Sequence, residues 1–201
     1  MDWLYYENLY GESGEKIVCG VDEAGRGPLA GPVYAAAVIM PSGFIIDGVN
    51  DSKKLSEKKR KILFEKIKES ALGYCVASAN EKEIDEINIL QATYLAMKRA
   101  VQGLGLKPDV VLVDGNRLPD FEIDSKAIVK GDSLSHSIAA ASILAKVSRD
   151  EYMYSEAKKY PEYFFEKHKG YGTKLHIEMI KKYGPCPIHR KTFLKKILKD
   201  D

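Results

Sequence analysis

Four acidic residues stand where they could act together. Asp22 and Glu23 end the apolar stretch KIVCGVDE, Asp114 ends DVVLVD, and Asp132 lies between Gly131 and Ser133, ahead of a long alanine-rich segment. If the two stretches are neighbouring strands, their acids meet at one rim, beyond the strand ends where α/β sheets gather their sites. Carboxylates that close repel and raise one another's pKa, and divalent cations relieve the repulsion. An oxygen-only ligand set selects Mg2+ or Mn2+ over zinc, and no histidine adjoins these acids in the sequence. Two such ions, typically about 4 Å apart, activate water and stabilise the leaving oxygen of a phosphodiester. Each acid also has a plainer reading. Asp114-Gly115 is a turn signature, Asp132 could cap the next helix, and Asp22-Glu23 could be solvated turn residues. Those readings do not explain why two apolar strands end on acids that converge.

Gly25-Arg26-Gly27-Pro28 follows the first acid pair. Two glycines around an arginine let main-chain groups approach a ligand with no side chain in the way. The loop lacks the spacing and terminal Lys-Ser/Thr of a phosphate-binding Walker loop, and no clear helix follows as in a dinucleotide fingerprint. A tight strand connection is its plain alternative.

The elements that must position these groups alternate. Residues 16–22 and 33–40 read as strands, with a connection too short for a crossover helix, so they should be antiparallel neighbours. Residues 56–69 read as a helix capped by Ser56, and 73–79 as a third strand. Ile87, Leu90, Tyr94, Met97 and Val101 recur at helical spacing over 87–102. The continuous apolar run at 109–114 suits a strand buried on both faces. A short strand at 127–129, a helix from about 133 to 159 and two short helices near 173–182 and 190–199 complete the chain. The expected class is α/β with a mixed sheet. Residues 1–150 would form the catalytic core and 151–201 a C-terminal helical subdomain packed on it.

Composition narrows the setting. The chain has 201 residues, 45% hydrophobic and 30% charged, as in a soluble domain. No apolar run would cross a bilayer, and the N-terminus carries acids where a secretory signal carries bases, so a cytoplasmic protein is expected. Cys19, Cys75 and Cys186 are far apart and form no CxxC pair, which argues against a zinc ribbon. Residues 1–150 hold 19 Lys+Arg against 22 Asp+Glu, and residues 151–201 hold 12 against 7. A basic last quarter suits a phosphate backbone, although lysines on solvated helix faces would give the same count.

The stretch VDEAGRGPLAGPV over 21–33 closely resembles the signature of type 2 ribonucleases H, the ribonuclease HII family. Further blocks match in the family's order: Asp51-Ser52-Lys53-Lys54-Leu55, Val113-Asp114-Gly115-Asn116, Lys130-Gly131-Asp132, residues 140–150, Gly170-Tyr171-Gly172-Thr173 and His189-Arg190. The resemblance spans about residues 16–192, and the short spacing from Asp114 to Asp132 is similar to bacterial members. It implies a ribonuclease H-like mixed five-stranded sheet flanked by helices, with a C-terminal helical extension. By the same resemblance, Asp22, Glu23, Asp114 and Asp132 bind two Mg2+ or Mn2+ ions. The main chain of Gly25-Arg26-Gly27 senses a ribose 2′-hydroxyl, the one group separating RNA from DNA at a given sugar. Tyr171 stacks on the following deoxyribose, Lys53, Ser142 and Lys146 contact phosphates, and Asp150 supports the metal site or pairs with a nearby base. His189-Arg190 reads as structural as easily as functional, and His136, His168 and His176 take no role. The resemblance further implies a monomeric endonuclease that hydrolyses RNA in RNA/DNA hybrids and cuts 5′ of ribonucleotides in duplex DNA, leaving 3′-hydroxyl and 5′-phosphate ends.

Three other readings compete. A DNA-strand nuclease of the same superfamily would share the acids but has no 2′-hydroxyl to sense. A type 3 ribonuclease H would carry an added N-terminal platform domain. A non-catalytic duplex-binding protein would use the basic last quarter, but four unneutralised acids would repel phosphate.

Overall fold

The structure, a computed structural model, describes residues 2–195, 197 and 198. Strands β1 (Val18–Ala24), β2 (Val33–Ile39), β3 (Gly73–Ala79), β4 (Val110–Asp114) and β5 (Asp124–Ile128) form one sheet in the order β3-β2-β1-β4-β5. The β1–β2 and β2–β3 pairs are antiparallel, and β1–β4 and β4–β5 are parallel. The expected mixed five-stranded sheet is present, with β1 at its centre. Val21 pairs with Val113, so the next residues, Asp22 and Asp114, emerge side by side.

Successive side chains of a strand face opposite sides. Cys19 and Val21 pack with Val111 and Val113 against helix α3 (Glu81–Gln102). On the other face, Ala36 and Val38 pack against α2 (Glu57–Ser70) and α4 (His136–Lys159). Helix α4 follows β1 closely. A Cβ on Gly20 would overlap the Ser137 carbonyl and the Ile138 amide, so only glycine admits the helix at that depth. The run Ala139-Ala140-Ala141 continues the close approach.

Several boundaries differ from the sequence reading. Helix α1 (Tyr5–Tyr10) was not expected. Helix α3 starts at Glu81, because Asn80 and Glu83 form a capping box ahead of a polar first turn that lacks an apolar stripe. Its backbone breaks at Asn88 (φ 67°), whose side chain accepts from the Leu90 and Gln91 amides and starts the expected periodic segment afresh. Strand β5 begins at Asp124, its exposed polar half being typical of a sheet edge. Short helices α5 (Phe165–His168), α6 (Lys174–Tyr183) and α7 (Lys191–Leu194) follow α4. The helix expected over 190–199 extends partly outside the described residues. Tyr163, Phe165, Ile180, Ile188 and Leu194 build an apolar cluster with Met153 of α4 and with Leu29 and Ala30 of the β1–β2 connection. Among the described residues, no helix is long and apolar enough to cross a membrane.

The α4–β1 contact yields a test. Gly20→Ala must push backbone against backbone and should cost ~3 kcal/mol, lowering Tm by roughly 6–12 °C. Thermal unfolding followed by circular dichroism reads this directly, and an unchanged Tm would mean that α4 does not sit so deeply.

Candidate active site

Asp22, Asp114 and Asp132 meet at the carboxyl end of the central strands. One ligand oxygen from each lies within 4.8 Å of those of the other two. Asp132 reaches them from a single 3-10 turn, Gly131–Ser133, and its amide approaches Asp114 Oδ1 at 3.4 Å. It does not cap α4. Ser135 does that, accepting from the Ile138 amide.

Asp22 is only 4% exposed. Its Oδ1 accepts from the Glu23 amide at 2.7 Å, and the nearby Ser142 hydroxyl favours the charged carboxylate. Ser142 sits 2.8 Å from Ser52, so the two hydroxyls pair beside Asp22. Arg60 braces the Ser52 end through that residue's carbonyl at 2.9 Å. No sequence pattern signals this pair, because residues 90 apart cannot be matched by spacing.

Burial, then Glu23 and Asp114, push the Asp22 carboxyl well above the usual carboxylate range. Asp114 is raised by burial and by Asp132. Glu23 is raised by burial, with Arg26 opposing. Lys53 is the near cation, its Nζ lying 3.5 Å from Asp132 Oδ2. Partial burial disfavours its charge, but Asp132, Asp22 and Asp51 outweigh that and raise its pKa. A single exposed ammonium leaves this cluster short of positive charge. Buried, oxygen-only donors in that condition suit a hard divalent cation such as Mg2+ or Mn2+.

Glu23 takes a different direction from the other acids. As the neighbour of Asp22 along a strand it turns toward the α3 side, 3.5 Å from Arg26. There it borders a groove of about 280 Å³ with Asp114, Asn116 and Arg117. Three of the four expected acids therefore converge tightly and the fourth flanks them across Asp114.

The remaining expected residues fall around this rim. Gly25 (φ +95°) needs its missing side chain, since a Cβ would overlap the Arg149 side chain beneath it. Arg26 and Gly27 are exposed. Tyr171, 43% exposed, brings its ring to 3.8 Å from where a Gly27 Cβ would lie. Ser142 is buried against Ser52 instead of facing solvent. Lys146 and Asp150 pair at 2.8 Å one turn apart on α4, so Asp150 holds a neighbouring basic side chain. His136 is buried and accepts from the Ile46 amide at 2.9 Å.

Two functional candidates escaped the sequence reading as site residues. Arg149 and Arg190 are 1% and 0% exposed, and both donate to carbonyls of the β1–β2 connection. Charged residues ordinarily read as surface, and only their place in the matching blocks marked them.

Comparison with known proteins agrees with this arrangement. Residues 19–196 match the family described as Ribonuclease HII. The chain is 61% identical over 193 residues to ribonuclease HII of Caldicellulosiruptor saccharolyticus, covering 96% of this chain and 94% of that one. It is 60% identical over 192 residues to ribonuclease HII of Caldicellulosiruptor bescii, covering 96% and 93%. The crystal structure of ribonuclease H2 from Pyrococcus horikoshii superimposes with a TM-score of 0.75 at 31% identity, over 90% of this chain and 97% of that one. The chain belongs to the ribonuclease HII family.

Proposed function

We propose that this protein is a metal-dependent endoribonuclease that hydrolyses the RNA strand of RNA/DNA hybrids and cuts 5′ of ribonucleotides embedded in duplex DNA. It leaves 3′-hydroxyl and 5′-phosphate ends, and it works as a cytoplasmic monomer. The observation that carries this reading is the convergence of Asp22, Asp114 and Asp132 beside a Gly-Arg-Gly loop whose Arg26 and Gly27 are exposed, and beside an exposed tyrosine. Acids without such a loop would serve any phosphodiester, whereas the loop gives the site a reason to distinguish one sugar from another.

Asp22, Asp114 and Asp132, flanked by Glu23, would hold Mg2+ or Mn2+, which supply Lewis acidity and a nucleophile at neutral pH. Ser142 and Ser52 keep the Asp22 carboxylate oriented. The main chain of Gly25-Arg26-Gly27 meets the 2′-hydroxyl, and Tyr171 stacks on the next deoxyribose. Lys53 and Lys146 contact backbone phosphates, with the Ser142 hydroxyl behind them, and such contacts place the duplex without reading its bases. Asp150 supports the site by holding Lys146. Residues 1–150 form the catalytic core and 151–201 add substrate-binding surface, with α4 shared between the two parts.

The acids give a signed pH dependence. Their pKa values are raised in the metal-free fold, so their effect on stability is favourable below the usual carboxylate range and lost as pH rises through the raised values. Asp114→Asn should therefore raise the metal-free Tm near neutral pH by about 2–4 °C, or ~1 kcal/mol, and the gain should vanish at acid pH. The same variant should lose cleavage by more than about 100-fold, since even the outer partners of metal sites are worth 10–100-fold. Near-normal turnover would remove Asp114 from the site. Because protons compete with metal, cleavage by the parent should rise with pH from the acid side, and more Mg2+ should move that limb to lower pH. A limb indifferent to Mg2+ would assign it to another group.

Tyr171 supplies a separate test. On a duplex with one ribonucleotide, Tyr171→Ala should cut about 10-fold more slowly while binding Mn2+ as the parent does. Parent-like cutting would make the tyrosine structural. The parent should cut this duplex 5′ of the ribonucleotide in Mg2+, spare an all-DNA duplex, and stop in chelator. A folded sample inert in both Mg2+ and Mn2+ would favour a non-catalytic duplex binder.

A further inference from the structure

Arg190 reaches three carbonyls with three different nitrogens. Nε donates to Gly31 O at 2.9 Å, Nη1 to Arg26 O at 2.9 Å and Nη2 to Gly25 O at 2.6 Å. Arg149 holds the other end of the same connection, with Nε donating to Pro32 O at 3.2 Å and Nη2 to Ala30 O at 3.1 Å. Among the described residues neither arginine forms a salt bridge. Two buried guanidinium groups with no carboxylate partner, whose only hydrogen-bond acceptors are carbonyls, are costly to keep, and cheaper ways exist to close a loop. Burial and the charge of Arg149 lower the Arg190 pKa to about 9, so at neutral pH it stays charged and its donors stay in place.

The consequence lies in the planarity of the peptide bond. In a trans peptide the C=O and the following N–H point opposite ways. The Gly25 and Arg26 carbonyls are drawn inward to Arg190, so the Arg26 and Gly27 amides must face outward. Among the described residues neither amide donates to another backbone group, and both residues are exposed. A glycine-flanked loop left to itself would present carbonyls and amides about equally, since glycine permits both. Arg190 selects the face that offers two adjacent donors.

The same segment reaches the tyrosine loop. The Cys186 amide donates to His189 Nδ1 at 2.9 Å, which leaves Nε2 of His189 to donate to His176 Nε2 at 3.0 Å. His176 Nδ1 in turn donates to Tyr171 O at 3.0 Å. Burial lowers the pKa of His176 to about 3 and of His189 to about 4, so both rings stay neutral in these tautomers at working pH.

We propose that Arg190 is a specificity-determining positioning residue: by fixing the Gly25 and Arg26 carbonyls inward it orients the Arg26 and Gly27 amides toward the substrate sugar, in register with Tyr171. Arg149 is its counterpart at the far end of the loop. This rests on reading the loop as the 2′-hydroxyl sensor. Lysine keeps the charge at position 190 but cannot make the three-way fork.

The test measures binding in chelator, by fluorescence anisotropy, to a duplex with one ribonucleotide and to the same duplex in all-DNA form. Tm and Mn2+ titration are followed alongside. The parent should prefer the ribonucleotide duplex about 10-fold, as one or two hydrogen bonds would give. Arg190→Lys should bring that ratio to nearly 1 while leaving all-DNA affinity and Mn2+ binding unchanged. A folded Arg190→Lys that keeps the parent's ratio would overturn the proposal. If Arg190→Lys does not fold, Arg149→Lys is read in the same way, and if neither folds the arginines are structural supports and the proposal falls. A parent that shows no preference fails the reading of the loop itself, whatever Arg190 does.

Discussion

Everything at the site depends on how closely α4 lies along β1. The contact begins at Gly20, whose missing side chain lets the Ser137–Ile138 backbone settle on the strand. From there helix and strand advance almost in step. Five helical residues from Ser137 to Ser142 rise about 7.5 Å, and two strand residues from Gly20 to Asp22 rise about 6.6 Å. Twelve helical residues to Arg149 rise about 18 Å, close to the roughly 16.5 Å that five extended residues need to reach Gly25. One helix thus delivers a hydroxyl to the first acid and a guanidinium under the glycine loop. A shift of the helix by one side-chain thickness would disconnect both.

The electrostatics follow from the same layout. On one side of the β1 end, three carboxylates share a small volume with a single exposed lysine nearby. On the other, two buried guanidinium groups have only carbonyls as hydrogen-bond acceptors among the described residues, and Nη1 of Arg149 has no acceptor. The free protein therefore holds charge of both signs around the end of β1, and the two signs serve different ends. Divalent cations would relieve the acids, whereas the buried arginines hold the loop. Such unspent electrostatic free energy is typical of sites whose ligands complete them.

Much of this was legible in the sequence, and for identifiable reasons. The central strands read clearly because burial on both faces makes them continuously apolar, and their terminal acids stood out against that background. The antiparallel β1–β2 pair followed from a connection too short for a helix. Elements stabilised by polar groups were harder to see. The first turns of α3 rest on the Asn80–Glu83 capping box and the start of β5 is an exposed edge, so neither carries an apolar pattern. Within the site, Asp132 was visible but its mount on a separate turn was not, and Glu23 was expected in the tight cluster that it only flanks. The Ser52–Ser142 pair and the arginine contacts join residues 90 to 165 apart, which no local pattern records.

The loop shows most plainly what local sequence can and cannot specify. Two glycines give the chain permission to adopt the required backbone, and that permission can be read from the residues alone. Permission has no direction, however, and recognising one hydroxyl among many sugars requires one. A loop free to turn either face outward would lose part of its binding free energy in ordering itself at each encounter, and preorganised dipoles avoid that cost. The direction comes from Arg190, 165 residues away, whose planar fork fixes which way two successive peptides point. The C-terminal segment is therefore part of the recognition apparatus even where it never meets the substrate, because it decides which atoms of the β1–β2 connection the substrate can meet.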